Sequence, residues 1–372
     1  MVTLEVSTVF RMIVNASNSK VSNNFSGDTI SLSSAQVLVS NEVLGEIMFV
    51  IKFGFLLPLA FIGIITNILN IIVFYLQGFK EGSTVSMTAI SVWNLFKSIC
   101  GFVAKFYIPI EFVNKALGVT WYNVTFPTID YTSLYAGYVT FALAAFLSLE
   151  RLFCVWKPFT AKSLLTPLIS LLSVIIISVF TFGAYIVVYF IYTIKFEFSQ
   201  TLNTSVAKFT LSQFYIEKSG IVMVYYQSIG ILIPTISFIV MCICSALTVV
   251  LLRKSSSHLH QDHTSTKKTS KREKQVSRTL LTIISIYIIN LFPRFIFYIG
   301  QLAEPEFYNL RKYNNVFVTI ALLLFVIDFC NSSSHFFIFL KMSSSFRYQF
   351  MKCINVKDVP LKRNFFTKSV IS

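Results

Sequence analysis

The sequence contains seven apolar blocks, each long enough to cross a lipid bilayer, and this feature limits the chain to very few folds. Blocks 164–194 and 219–252 hold no charged residue. Five others hold one to three charges each: 47–76, 84–107, 126–156, 279–303 and 313–340. Lipid offers the backbone no hydrogen-bond partners, and the blocks greatly exceed the roughly 10 residues of a barrel strand. We therefore expect an all-α bundle of seven transmembrane helices.

Composition supports a lipid environment. The chain is 55% hydrophobic and 13% charged, which is more apolar than one or two soluble domains could bury. Its net charge of +15 raises the alternative of nucleic-acid binding. The basic residues, however, concentrate in loops beside the spans, where anionic lipid headgroups explain them. We expect the bilayer as a partner, no nucleic acid and no cofactor.

The distribution of Lys and Arg predicts the orientation. With the N-terminus outside, nineteen of the 31 basic residues fall in inner segments and eight in outer segments. This bias favours a multi-pass plasma-membrane protein with a cytoplasmic C-terminus. The predicted division is an extracellular, glycosylated segment 1–46, a seven-span domain 47–341, and an amphipathic helix with a cytoplasmic tail, 342–372.

Short motifs agree with this orientation. Four glycosylation sequons fall in segments that the prediction places outside: Asn15, Asn24, Asn123 and Asn203. After the last span, Phe346 and Phe350 are interspersed with basic residues, which predicts a short helix on the inner membrane surface. Cys353 is a candidate for palmitoylation, and an ordinary unmodified cysteine is the alternative.

Three prolines mark changes in the helices. Pro158 is expected to end the third helix, because proline lacks a backbone donor and blocks helix continuation. Pro234 and Pro293 lie inside the fifth and sixth spans, where they predict kinks. A kinked helix can pivot.

An acidic and a basic residue stand side by side at the end of the third span. Asp130 and Arg151 are 21 positions apart, so a helix separates them by about 30 Å, one hydrocarbon thickness. Glu150 and Arg151 are therefore expected at the cytoplasmic rim. Glu273, 20 positions before Pro293, belongs at the inner end of the sixth helix. We hypothesise an Arg151–Glu273 ion pair whose rupture acts as a switch.

Charges inside the spans are costly, about 3 kcal/mol each on insertion scales, and so indicate a partner or a function. Lys97, Arg294 and Asp328 are predicted to share one depth, roughly 18 to 22 Å above the cytoplasmic boundary. We hypothesise that Asp328 pairs with Lys97. Arg294, Lys105 and Lys52 would then form a positive outer cavity that attracts an acidic group. A purely structural ion pair is the alternative.

The string Glu150 to Pro158, ERLFCVWKP, resembles the Asp/Glu-Arg-Tyr motif of rhodopsin-like (class A) G protein-coupled receptors. Further resemblances occur in the same order along the chain: Gly63 to Asn67, Pro234, Pro293, Asn331 to Phe339, and Phe346-Arg347. The resemblance implies that Arg151 pairs at rest with Glu150 and with an acid of the sixth helix, by position Glu273. On activation Arg151 would contact the G protein.

The sequence also departs from that family. Asn94 stands where the family has its sodium-binding Asp, and this argues against sodium modulation. His335 to Phe339 replaces the Asn-Pro-x-x-Tyr motif and loses its Pro and Tyr. Ser133 occupies the place where amine receptors have an Asp, which argues against biogenic amines. The variants are most similar to divergent invertebrate peptide-type and chemosensory receptors, molluscan ones especially.

We therefore expect a receptor that transduces an extracellular ligand, neuropeptide-like or chemosensory, to heterotrimeric G proteins. The predicted switch residues are Glu150, Arg151, Glu273, Pro234, Pro293, His335 and Phe339. The predicted pocket residues are Lys97, Lys105, Asp130, Ser133, Arg294 and Asp328. The alternative is a seven-span transporter or channel without G protein coupling, although no internal repeat is visible. No catalytic motif suggests an enzyme.

Overall fold

The computed structural model describes residues 39–258, 266–308 and 311–354. Seven of its helices are long and apolar enough to cross a membrane, which confirms the predicted seven-helix fold. The helices are α1 Asn41–Gln77, α2 Gly82–Val113, α3 Lys115–Trp156, α4 Pro167–Phe190, α5 Gln213–His258, α6 Thr266–Ala303, α7 Asn314–Met342 and α8 Ser344–Cys353. The predicted sites Asn15 and Asn24, and the tail after 354, lie outside the described residues.

Capping residues set several helix ends. Ser40, Thr166 and Ser343 each accept a hydrogen bond from the backbone N–H three residues further on, which satisfies a donor that the first turn leaves free. Gly78 ends α1 with a φ of 78°, in the region that glycine adopts without a Cβ penalty. At Pro158 a separate short helix, Pro158–Leu164, begins, so α3 ends where the proline predicted.

Several spans are irregular. In α1 the segment Val50–Leu56 is π-helical, and in α3 the segment Phe126–Asp130 is as well. The helix α3 begins eleven residues before the predicted block, because Lys115–Thr125 forms a capped helix of its own that joins it. The last turns of α4, Ile186–Phe190, are a 3₁₀ helix.

A β-hairpin that the sequence analysis did not predict connects α4 and α5. Strands β1 Tyr192–Ser199 and β2 Thr204–Leu211 pair antiparallel, with Tyr192 opposite Leu211. Asn203 lies in the turn with a φ of 50°, a conformation that Asn tolerates better than most residues. More than half of the residues in the two strands are aromatic or β-branched, a composition that favours extended structure.

Helix α3 lies at the centre of the bundle and packs against α2, α4, α5 and α6, while α1 packs against α2 and α7. Large apolar side chains such as Ile176, Val179 and Phe180 point outward and are exposed. Charged and amide side chains such as Lys97 and Asn94 are buried. This distribution suits a bundle surrounded by lipid, because only the interior can satisfy polar groups.

Candidate functional site

The carboxylate of Glu150 is anchored by two serines from other helices. Its side chain is 2% exposed. Ser86 of α2 donates to Oε2 at 2.8 Å, and Ser170 of α4 donates to Oε1 at 2.6 Å. Gly82 permits this arrangement, since a Cβ at that position would overlap the Ser170 hydroxyl and lie 3.1 Å from the Leu165 carbonyl. Glu150 therefore joins α2, α3 and α4.

Arg151 forms no ion pair with any described residue, and its buried Nε has no hydrogen-bond partner. The pairing of Arg151 with Glu150 that the resemblance implies is absent. The reason is geometric: successive helical side chains point about 100° apart, so Glu150 faces α2 and α4 while Arg151 faces elsewhere. The side chain of Glu273 lies outside the described part of the chain, and its pairing with Arg151 stays a prediction.

We call the end of the bundle that contains Arg151 the arginine end, and the opposite end the hairpin end. At the arginine end, α6 contacts the junction of α7 and α8. Gln275 Nε2 donates to the Met342 carbonyl at 3.1 Å and lies 3.5 Å from Ser344 Oγ. These contacts join α6 to the α7–α8 junction. Cys353, the palmitoylation candidate, is exposed at the end of α8.

The predicted seventh-helix residues lie in the core beside this junction. His335 is fully buried, its ring centroid lies 5.1 Å from that of Tyr287, and neither ring nitrogen has a hydrogen-bond partner. Phe339 contacts Phe74 of α1 and Phe346 of α8, with ring centroids 5.0 and 5.3 Å away. Phe339 thus packs α7 against α1 and α8 where the resemblance would place a hydroxyl.

At mid-depth, the structure brings together Lys97, Asp328 and Arg294, as their shared depth predicts. Lys97 Nζ lies 3.6 Å from Asp328 Oδ1 and donates to the Asp328 carbonyl at 3.2 Å. Asn290 Nδ2 donates to Oδ1 at 3.1 Å, and Arg294 Nη2 lies 4.0 Å from Oδ2. We call Lys97, Asp328 and Arg294 the buried charge cluster. Ser133 donates to the Lys97 carbonyl at 2.9 Å, so it positions the backbone beside the cluster.

The expected open positive cavity is wrong in two respects. Arg294 is not free of acid, because it shares Asp328 with Lys97. Lys105 pairs with Asp130, with Nζ 2.5 Å from Oδ1. Lys52 is buried and lies over the rings of Tyr107 and Tyr122, 5.9 and 5.6 Å from their centroids. Arg294, Lys105 and Lys52 therefore have different partners and do not form one shared cavity.

A tyrosine cluster covers the buried charge cluster toward the hairpin end. Tyr135 and Tyr185 are almost fully buried and stack at 4.4 Å. Tyr138 contacts both, and Tyr131 stacks on Tyr192 of β1 at 6.3 Å. The hairpin thereby connects to the interior through aromatic contacts. Arg294 lies beneath, with its guanidinium 5.7 Å from the Tyr138 ring centroid.

Both predicted kink prolines lie inside their helices, Pro234 in α5 and Pro293 in α6. A narrow recess between these two helices is lined by Pro234, Thr235, Leu291, Arg294, Phe295 and Tyr298. Pro234 of α5 and the side chain of Arg294 of α6 therefore lie close to each other.

The two described sequons differ in geometry. Asn203 is exposed at the hairpin turn. Asn123 lies in the first helical segment of α3, and its Nδ2, the atom that glycosylation would modify, donates to the Ala207 carbonyl at 2.8 Å. A glycan on Asn123 would break this contact between α3 and β2.

The sequence analysis identified the charged residues Glu150 and Asp328 but missed their hydrogen-bond partners. Ser86, Ser170 and Asn290 complete the interactions of Glu150 and Asp328. The sequence showed that these three residues lie within apolar blocks, but other serine and asparagine residues lie there as well. No signal distinguished these three from other polar residues of the spans.

The seven-helix bundle, the Glu150–Arg151 pair of residues at the end of α3 and the helix after α7 define a seven-transmembrane receptor. A family model described as "Serpentine type 7TM GPCR chemoreceptor Srw" matches residues 54–357, and the chain belongs to this family. No curated protein matches the sequence. The protein is a multi-pass membrane protein and a chemosensory G protein-coupled receptor. Its family is not one of enzymes, and the alternative of a transporter or channel gains no support.

Proposed function

We propose that the receptor lies in the plasma membrane with its hairpin end outside, its segment 1–46 extracellular and its segment 342–372 cytoplasmic. The excess of Lys and Arg at the arginine end supports this orientation. The exposed Asn203 at the hairpin turn is a proposed glycosylation site, together with Asn15 and Asn24. The contact of Asn123 with β2 makes Asn123 the weakest candidate.

We further propose a rhodopsin-like mechanism in which Arg151 contacts the G protein. The observation that supports it is the state of the arginine end: Ser86 and Ser170 hold Glu150, and this leaves Arg151 without a carboxylate partner among the described residues. A guanidinium with free donors can bind a carbonyl or carboxylate of a docking protein.

The conformational change would be a population shift. A ligand that prefers the state with α6 swung outward increases the population of that state in proportion to its differential affinity. Pro293 gives α6 a pivot. The contact of Gln275 with Met342 holds the inward state, and a pair between Arg151 and Glu273 would add to it.

A chemosensory ligand of small size fits the interior better than a peptide. The tyrosine cluster and β1 fill the hairpin end above the buried charge cluster with stacked rings. A peptide would have to displace more of these rings, and the hairpin with them, than a small molecule would.

The test of coupling is the variant Arg151→Ala, assayed in reporter cells with promiscuous G proteins and pools of small soluble odorants. We expect signalling to fall to background with surface expression unchanged, since the variant removes the docking donors and no described ion pair. Lys341→Ala is the matched control, because Lys341 is an exposed cation at the same end. Equal loss in both variants, or full signalling by Arg151→Ala, contradicts the proposed role of Arg151.

A further inference from the structure

Helix α6 has Pro293 in its interior, and this residue weakens the turn that precedes it. Proline has no backbone N–H, so the carbonyl of Ile289 does not receive the hydrogen bond of an unbroken helix. Ile289 and Phe292 of this turn are exposed, so their side of α6 faces lipid. The turn bends more easily than the rest of α6 unless side chains on the interior side restrain it.

Two interior side chains flank this turn. Asn290 and Arg294 are four residues apart, which places them on the same face of the helix as neighbours. They are 3% and 6% exposed. Asn290 lies toward the arginine end and Arg294 toward the hairpin end, so each belongs to a different half of α6.

Asp328 of α7 contacts both residues through its two carboxylate oxygens. Asn290 Nδ2 donates to Oδ1 at 3.1 Å, and Arg294 Nη2 lies 4.0 Å from Oδ2. One carboxylate thus spans the turn that Pro293 weakens. We call Asn290, Asp328 and Arg294 the carboxylate bridge.

The other neighbours of Asp328 hold its carboxylate in place. Lys97 Nζ of α2 lies 3.6 Å from Oδ1 and donates to the Asp328 carbonyl at 3.2 Å. Gly137 of α3 lies directly against the carboxylate, because a Cβ at that position would be 3.0 Å from Oδ2. The carboxylate bridge therefore attaches α6 to a point that α2, α3 and α7 fix together.

We infer that the carboxylate bridge sets the angle between the two halves of α6, and that Asn290 is the positioning residue whose release lets the half at the arginine end swing outward. The inference rests on the proposed population shift and names a contact that opposes it. Arg294 also contacts the rings of Tyr138 and Phe141, both 5.7 Å from its guanidinium carbon. These contacts hold the half toward the hairpin end, so the other half is the one that moves.

The test measures the position of α6 in purified receptor in lipid nanodiscs, without ligand or G protein. Spin labels on ketone-bearing unnatural amino acids replace Lys157 and Arg278, which are exposed at the arginine end. Double electron–electron resonance then gives the distance between the ends of α3 and α6. This labelling leaves the native cysteines unchanged.

Asn290→Leu removes the donor and keeps a side chain of similar shape. We expect a longer distance whose population, relative to the shorter one, rises about 10-fold to 100-fold, as for loss of a hydrogen bond to a charged group. Asn290→Ala should give the same result and serves where leucine does not fit. Ser285→Ala is the control, since Ser285 lies in the same half of α6, is exposed, and donates to the Leu281 carbonyl of its own helix. Its distances should match those of the wild type.

Replacement of the proline separates this role from simple packing. Pro293→Ala restores the backbone hydrogen bond and stiffens the turn. In that background Asn290→Leu should leave the distances unchanged. With the proline present, Arg294→Gln should also increase the longer population. The double variant of Asn290 and Arg294 should shift the population by less than the product of the two single effects, because either substitution opens the bridge.

Two results overturn the inference: wild-type distances in both Asn290→Leu and Asn290→Ala, or an equal shift with and without Pro293, which would assign Asn290 a packing role alone. Basal signalling in reporter cells tests coupling separately. A longer distance with unchanged basal signalling upholds the bridge and rejects the outward state of α6 as the signalling state. Raised basal signalling with wild-type distances does the reverse.

Discussion

At the scale of single residues, the hydrogen bonds of Glu150 explain why Arg151 forms no ion pair with it. A buried carboxylate without donors costs far more than one with hydrogen bonds, and Ser86 and Ser170 supply those bonds from two other helices. Glu150 therefore receives its hydrogen bonds without a direct contact from Arg151. The sequence predicted the position of both residues along α3, whereas the pairing of Glu150 with Arg151 that the resemblance implied is wrong.

We predict that Ser86→Ala destabilises the receptor by about 1–3 kcal/mol, because it leaves a buried charged acceptor short of a donor. The measurement is the free energy or midpoint of unfolding of purified receptor. Ser91→Ala is the matched control: Ser91 is equally buried in α2, but it donates only to the Met87 carbonyl of its own helix. If both variants lose the same stability, the bond to Glu150 has no special weight.

At the scale of elements, α1 approaches α2 and α7 closely at Gly63. A Cβ there would overlap the hydroxyl of Ser98 in α2 and lie 3.3 Å from Oγ of Ser333 in α7. Small residues at such crossings let helices approach closely in a membrane, where packing replaces the hydrophobic effect as the main attraction between helices. The hairpin is the second element of interest, because β1 contacts the tyrosine cluster of α3 and α4.

Gly63→Ala should therefore lower the thermal midpoint, at a cost of about 1–3 kcal/mol for overpacking. A thiol-reactive dye can report unfolding through the buried Cys100 and Cys244. Gly54→Ala is the control in the same helix, since a Cβ at Gly54 meets nothing within 4 Å, and alanine is the better helix former. A midpoint of Gly63→Ala at or above that of Gly54→Ala would show that the crossing tolerates the methyl group.

At the scale of the whole molecule, the buried charge cluster joins α2, α6 and α7 across the interior. Removing one member leaves an uncompensated charge, which destabilises buried pairs by several kcal/mol. The cluster, the Lys105–Asp130 pair and the anchored Glu150 lie at different depths of the same bundle. Together they fix how the helices are rotated relative to one another, which apolar contacts alone specify weakly.

We predict that Lys97→Asp and Asp328→Lys each abolish surface expression, and that the double exchange restores it in part. Restoration should be incomplete, because the lysine exchanged into position 328 would face Arg294, now 4.0 Å from Asp328. Surface labelling of intact cells measures the effect.

The same exchange at the exposed pair Glu197 and Lys208 of the hairpin, 3.5 Å apart, is the control and should change expression little, since exposed pairs contribute about 0–1 kcal/mol. No recovery in the Lys97 and Asp328 double exchange would mean that attraction between these two charges does not hold α2 to α7.

Local sequence was sufficient to predict the seven spans, the helix after the last span and the relative depth of the charges. These follow from the length and hydrophobicity of local segments and from a fixed rise of 1.5 Å per residue. It did not determine the hairpin, whose strands pack aromatic side chains against Phe126 and Tyr131 of α3. Nor did it determine which side chains interact. Glu150 accepts hydrogen bonds from two serines, Lys105 pairs with Asp130, and Arg294 lies beside Asp328, which also pairs with Lys97. Depth depends on one helix alone, whereas a contact depends on the rotation and tilt of two, and only packing of the whole bundle sets those.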